Sequence, residues 1–321
     1  MVLILLTMVF VLMRVAPGNP IQAALGGHLS HAQLLVRERA AGYDKPLLVQ
    51  YGEYLRQVFT GRFGTTLTDN RPVSQVIAQN GAATLELSTT AMLVAILVGL
   101  PLGMLAGRLR DTWVDTASRL FGIVIYAAPV FFLGLLAQLL FGHILGLLPT
   151  SGQASPLTQL DITPHTNILI IDAAIDGRWA DIPDLLAHLV LPATTLGLVI
   201  AGVMVRLVRV NVIQALKGDY VEAARARGLR ERRVVISHAL RNALVPIITV
   251  TGLQAALLLS GAVLTEDTFN WPGIGNQLLQ YLENRDYIAV QGIITMFALV
   301  VVAISLLIDF LNAWVDPRVR Y

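Results

Sequence analysis

The chain alternates between long apolar runs and short stretches that hold most of its charge. A helix needs about 20 consecutive apolar residues to cross the hydrocarbon core of a bilayer. Five runs read as such spans: residues 85–106, 120–148, 188–208, 243–264 and 288–314. A sixth, 1–15, is shorter and stops at Arg14 and the helix-breaking "APGNP". It lacks the basic leader of a secretory signal, and "APGNPIQA" is a poor cleavage site. It therefore reads as a first spanning helix, barely long enough, with its N-terminal boundary left open. The pattern predicts an all-α integral membrane protein with six transmembrane helices.

Composition strengthens that reading. Of the 321 residues, 55% are hydrophobic and 14% charged, where a soluble domain carries about 25% charged residues. The net charge of +2 gives no reason to expect nucleic acid as a partner. The placement of charge sets the orientation. Residues 206–241 hold nine Lys/Arg against three acidic residues, 108–119 hold three basic residues, and the tail "DPRVRY" holds two. The loop 149–187 has Arg178 alone against Asp161, Asp172, Asp176, Asp181 and Asp184. An Arg or Lys at the bilayer centre costs about 2.5–3.5 kcal/mol on insertion scales, and basic loops stay cytoplasmic. Six spans with both termini inside follow. The segment 16–83 has six basic residues, but long loops cross largely regardless of charge. It reads as an external region, with turn signals at Gly61, Gly64 and 69–72. The core is then 84–321, with five spans and a cytoplasmic loop at 206–242.

Within the second span, Gly99, Gly103 and Gly107 recur every four residues, a small-residue face suited to close helix approach. Pro101 in the same span is expected to bend it, as are Pro129 and Gly134 in the third. The spans read as nearly free of ionisable groups. Gln138, Thr194, Thr195, Gln254 and Ser260 are their main polar residues, with Asp309 and Asn312 near the inner end of the last. An ion-coupled carrier usually keeps carboxylates or histidines at membrane depth, so the energy source is expected elsewhere. No catalytic, cofactor or metal residue is assigned. The chain has no cysteine, no G-x-x-x-x-G-K-[ST] phosphate loop, no H-E-x-x-H pair and no G-x-S-x-G elbow. "TSGQ" at 150–153 reads as an external turn, and His28 with His31 as a solvated face.

One cytoplasmic stretch, "EAARARGLRERRVVISHALRN" at 222–242, has six arginines. Upstream, "KGDY" offers Asp219 as an N-cap, residues 220–227 are good helix formers, and Gly228 supplies a C-terminal stop. A second helix is expected to begin near Arg230 and Glu231. A short helix therefore lies outside the membrane, with charge at Glu222, Arg225 and Arg227 and a slim surface at Ala223, Ala224 and Ala226. A positive-inside signal alone would need neither this cap nor this stop.

Glu222, Ala223, Ala224 and then Gly228 resemble the "EAA…G" loop of permease subunits in ATP-binding-cassette importers. "RVAPGNP" at 14–20, "LPATTLGLVIAGVMVRLVR" at 191–209, "HALRNALVP" at 238–246, "FNWPGIG" at 269–275, "RDYIAVQG" at 285–292 and "DPRVR" at 316–320 extend the likeness over almost the whole chain. The chain is similar to the B-type permease subunit of the dipeptide, oligopeptide, glutathione and nickel importers. In the general loop a proline follows the glycine by thirteen residues. Arg241 stands there in this chain, and Pro246 comes later, as in the peptide branch.

The resemblance implies a type I importer fold in a bacterial cytoplasmic membrane. It implies a second homologous permease, two ATP-binding subunits that carry ATP and Mg, an extracytoplasmic substrate-binding protein and surrounding lipid as partners. Tyr220, Glu222, Ala223, Ala224, Arg225, Arg227, Gly228 and Leu229 would dock on the ATPase. The expected cargo is a di- or oligopeptide, with nickel or glutathione as alternatives. Two other classes compete: an ion-coupled carrier, and a scaffold that binds anionic lipid through its basic loop.

Overall fold

The computed structural model describes residues 2–15, 44–235 and 240–315. His28, His31, the tail "DPRVR" and parts of the motifs at 14–20 and 238–246 lie outside the described residues. Among those described, the structure is helices and turns with one isolated antiparallel bridge, Thr65 to Pro72. The helices are α1 (Val2–Val15), α2 (Leu47–Phe59), α3 (Val73–Arg108), α4 (Trp113–Ala127) and α5 (Val130–Ala137), which runs into a π-helical turn Gln138–Ile144. They continue with α6 (Pro156–Asp161), α7 (Leu169–Ile175), α8 (Ile182–Leu216), α9 (Asp219–Ala226), α10 (Glu231–Arg233), α11 (Leu240–Thr268), α12 (Ile274–Glu283) and α13 (Tyr287–Val315).

Three helices, α3, α8 and α13, are each long and apolar enough to cross a membrane. Two bent pairs raise the number to five if each is one span: α4 with α5 and its π turn, and the two segments of α11. Helix α1 is apolar but shorter. The third expected span is a broken one, turning by 101° between Ala127 and Val130. Proline is the cause. A residue before proline is pushed out of the α region, and Ala128 is extended at φ −86°, ψ 135°. Pro101 behaves differently, because α3 continues through it as one helix. Gly99 and Gly103 flank it and are both buried against α8, so packing holds the helix together where the backbone bond is missing.

The contact between α3 and α8 is the most extensive between any two helices. A Cβ at Gly99 would lie 2.7 Å from that of Met204, one at Gly103 2.6 Å from that of Val208, and one at Gly107 2.9 Å from that of Val212. Both sets advance by four, so the helices run parallel in register. Gly197 meets Ala91 and Val94 higher along the same seam. In lipid, close packing of small residues replaces the hydrophobic drive between helices. The parallel register brings the C-terminal ends of α3 and α8 to one end of the bundle, where α9 follows.

The opposite end is knotted around buried carboxylates. Glu266, wholly buried, accepts from Thr84 Oγ1 at 2.6 Å and from the Asn276 N–H at 3.0 Å. Thr84 Oγ1 in turn accepts the Ile274 N–H at 2.8 Å, and Trp271 Nε1 donates to the Ala83 carbonyl at 2.9 Å. A Cβ at Gly273 would sit 2.2 Å from the Glu266 Cδ, so the "WPGIG" loop needs its glycine to wrap the acid. Asp286 accepts from the N–H groups of Leu67 (2.6 Å) and Thr68 (2.9 Å) and caps α13 through the Ala289 N–H. Glu86, also buried, accepts from Gln153 Nε2, which ties the "TSGQ" turn to α3. Glu86 falls at the edge of the span read at 85–106, and Glu266 lies two residues beyond the span read at 243–264, where the sequence suggests a loop; the structure extends both helices past those bounds and buries both acids. Their hydrogen-bond donors lie on other segments, so neither acid betrays itself by local spacing.

Outside the spans, Tyr281 donates to Asp69 at 3.1 Å. Burial and that carboxylate push the phenol up to about 12. Burial works against the charge of Asp69, but hydrogen bonds from Thr66 and Tyr281 and the Arg71 charge outweigh it and lower its pKa.

Candidate functional site

Helix α9 follows α8 after two residues and stands on a small apolar foot. Val221, Ala224 and Val234 are buried together, with Leu216 and Leu229 packed against them. The positions between them, Glu222, Ala223, Arg225, Ala226 and Arg227, are exposed. The helix thus hides one narrow stripe and offers the rest.

The expected cap is shifted by one residue. Gly218 holds the N-cap position, at φ −76° and ψ 146°, and Asp219 is the first helical residue. The cause is Tyr220. Its hydroxyl donates to the Ala215 carbonyl at 2.7 Å, closing the end of α8, and its ring lies where a Cβ on residue 218 would be, 2.4 Å away. Asp219 and Glu222 still complement the positive end of the helix dipole from the first turn.

The C-terminal stop is the expected one. Gly228 has φ +71° with open space around it, so its requirement is conformational. Its N–H donates to Arg225 O at 2.9 Å, and the Leu229 N–H reaches the Ala224 carbonyl at 3.3 Å, closing the helix in a Schellman-like turn with Leu229 on the apolar foot. Arg225 then bridges to Glu231 at 2.7 Å, which fixes α10 against α9. Arg225 lowers the pKa of Glu231 despite its partial burial.

Tyr220, Glu222, Ala223, Ala224, Arg225, Arg227, Gly228 and Leu229 therefore share one compact loop. Gly99, Gly103 and Gly107 lie on the α3–α8 seam, Pro101 between them, and Pro129 at the break after α4. Sequence reading missed the strut that fixes α4 to α8 near the same end. Asp115, 2% exposed, takes Arg209 through two bonds of 2.5 and 2.7 Å. The two residues are 94 positions apart, and a single sequence carries no signal for such a pairing.

Above that strut α4, α8 and α11 enclose a cavity of about 690 Å³, lined by Ser118, Arg119, Tyr126, Arg206, Gln254 and neighbouring apolar residues. It borders the crossing of α4 and α8, where Gly122 and Gly202 meet so closely that a Cβ on either would lie 3.0–3.1 Å from the other's carbonyl oxygen. Arg206 lies on α8 ten residues before Leu216, so the helix that lines the cavity also carries α9. Among the described residues no group of three or more His, Cys, Asp or Glu is placed to hold a metal ion.

Known proteins resemble this chain over its full length. Residues 99–321 match the family described as binding-protein-dependent transport system inner membrane component, and residues 1–88 match the N-terminal region of such membrane components. The chain is similar to the dipeptide transport system permease protein of Alkalihalophilus pseudofirmus, at 36% identity over 100% of this chain and 96% of the relative. It is 39% identical to the protein of the same description from Escherichia coli K12, over 99% and 94% of the two chains. The glutathione transport system permease protein of Salmonella choleraesuis is 34% identical over 99% and 94%. With its helices long enough to cross the bilayer, this chain belongs to the inner-membrane permease components of binding-protein-dependent ATP-binding-cassette transport systems.

Proposed function

We propose that this chain is the non-catalytic permease subunit of an ATP-driven importer, and that it forms one half of a path for di- or oligopeptides. The observation that carries this reading is the close succession of α8, which lines the cavity, and α9, an exposed helix that stands on its apolar foot. In this reading the α9 end is cytoplasmic, as the excess of Lys and Arg in 206–241 supports. Helix α1 completes six spans with both termini inside. Two ATP-binding subunits bind ATP and Mg and close beneath the membrane. Tyr220, Glu222, Ala223, Ala224, Arg225, Arg227, Gly228 and Leu229 dock into one of them and transmit its motion along α8. A second homologous permease covers the open side of the cavity, and an extracytoplasmic binding protein delivers the cargo. The bundle supplies two states, and its partners bias them. Peptide cargo is favoured by the relatives described as dipeptide permeases, and the glutathione permease carries a peptide-like substrate name as well.

The test is Gly228→Pro in the assembled complex. Proline cannot adopt φ +71° and removes the N–H that bonds Arg225. ATP-driven uptake of a dipeptide should be lost while the chain still inserts in the membrane. Normal uptake by this variant would sink the coupling role of α9.

A further inference from the structure

The cavity between α4, α8 and α11 is cationic without an acid of its own. Three arginines line it, Arg119, Arg206 and Arg209, and among the described residues no Asp or Glu does. Arg209 is spent on Asp115 behind the wall. Arg206 enters no hydrogen bond or ion pair among the described residues, and Arg119 forms no ion pair there, acting on Asp115 only through space. Both side chains reach the cavity by helical repeat. Among the lining positions are 119, 122, 123 and 126 on α4 and 202, 206, 209 and 210 on α8. The polar remainder, Ser118, Tyr126 and Gln254, offers neutral hydrogen-bonding groups. The volume falls within the roughly 300–1,000 Å³ of small-ligand sites.

We propose that Arg119 and Arg206 make this cavity a carboxylate-receiving station, so that the permease itself, and not only its binding protein, favours anionic over cationic peptides. The proposal rests on the reading of the chain as a peptide permease. A guanidinium presents a rigid fork of donors that matches a carboxylate, and the neutral lining groups suit peptide amides. Two cations that form no ion pair among the described residues also repel a lysine side chain on the same path.

The experiment uses the full complex, with its binding protein and ATPases, in vesicles of phosphatidylcholine and in vesicles that also contain phosphatidylglycerol. The probes are Ala-Glu, Ala-Ala and Ala-Lys. Because the binding protein is the same throughout, a change in the uptake ratio between variants reports the permease. R206Q and R119Q should each lower the Ala-Glu to Ala-Lys ratio about tenfold, and R206K should keep most of the parent's preference. Co-purification with the partner subunits controls for folding, and R119Q carries the test if R206Q fails to assemble. An unmoved ratio, or an equal loss of all three peptides, overturns the proposal. An effect confined to phosphatidylglycerol vesicles assigns the arginines to lipid headgroups and also overturns it. If the parent complex carries none of the three probes, the peptide reading itself fails, and this inference goes with it.

Discussion

Two glutamates mark the two ends of the molecule and could hardly be placed more differently. Glu266 is wholly buried between α3, α11 and the loop before α12, with both carboxylate oxygens accepting hydrogen bonds from neighbouring segments. Glu222 stands exposed on α9. The fold supplies hydrogen-bond donors to Glu266 and leaves Glu222 at the surface, with no hydrogen bond to it among the described residues.

The sharpest way to break the comparison is to replace both acids by leucine. Glu266→Leu leaves the Thr84 hydroxyl and the Asn276 N–H without their acceptor in a dry site, so it should cost about 3–5 kcal/mol of stability. Glu222→Leu should cost within about 0.5 kcal/mol. Thermal unfolding of the detergent-solubilised chain measures both, while uptake should fall in each. Equal stability losses would mean that the two ends do not differ as described.

Next in size is Gly103→Val. Its new Cβ would fall 2.6 Å from that of Val208, and overpacking of a tight seam costs about 1–3 kcal/mol. The same assay should show a loss smaller than that of Glu266→Leu and larger than that of any α9 variant. A neutral result would mean that α3 and α8 can part along their length.

How much of this was legible follows from where each signal lies. The small-residue face at Gly99, Gly103 and Gly107 and the stop at Gly228 are local in sequence, and both occur where expected. Pro129 announced a bend but not its size, because the angle depends on what α5 packs against once Ala128 is extended. Asp219 was misplaced by one position, since the decisive contact is the Tyr220 ring against Gly218, a feature of side-chain direction. Glu266 was hidden altogether. In sequence it ends an apolar run beside Asp267 and reads as part of an acidic outer loop, and its donors come from residues as distant as Thr84. Asp115 with Arg209 was hidden for the same reason. Patterns with a period can be read from one chain, whereas pairings across the bundle cannot.

Gly228→Ala comes third. A side chain at φ +71° costs about 1–2 kcal/mol, yet nothing crowds the position, so the loss should stay local to α9. The expected outcome is reduced uptake at nearly unchanged global unfolding, with faster proteolysis or amide exchange confined to 219–229. Global destabilisation would show that the loop is part of the frame and not an appendage to it.

The smallest effect is expected at the bridge between Arg225 and Glu231, whose partners are both about half exposed. Exposed pairs contribute about 0.2–1 kcal/mol, so Arg225→Ala should lower α9 protection only slightly and leave global stability unchanged. Its pH dependence has a definite sign. Because Arg225 holds the folded-state pKa of Glu231 below the usual value, the bridge contributes fully above the ordinary carboxylate range and is lost as pH falls through that depressed value. Amide protection in 219–231, taken relative to intrinsic exchange, should therefore be flat through neutral pH. In acid the parent and Arg225→Ala should converge. If they converge at neutral pH instead, the bridge contributes nothing there, and the apolar foot of Val221, Ala224 and Val234 alone sets the posture in which α9 is offered.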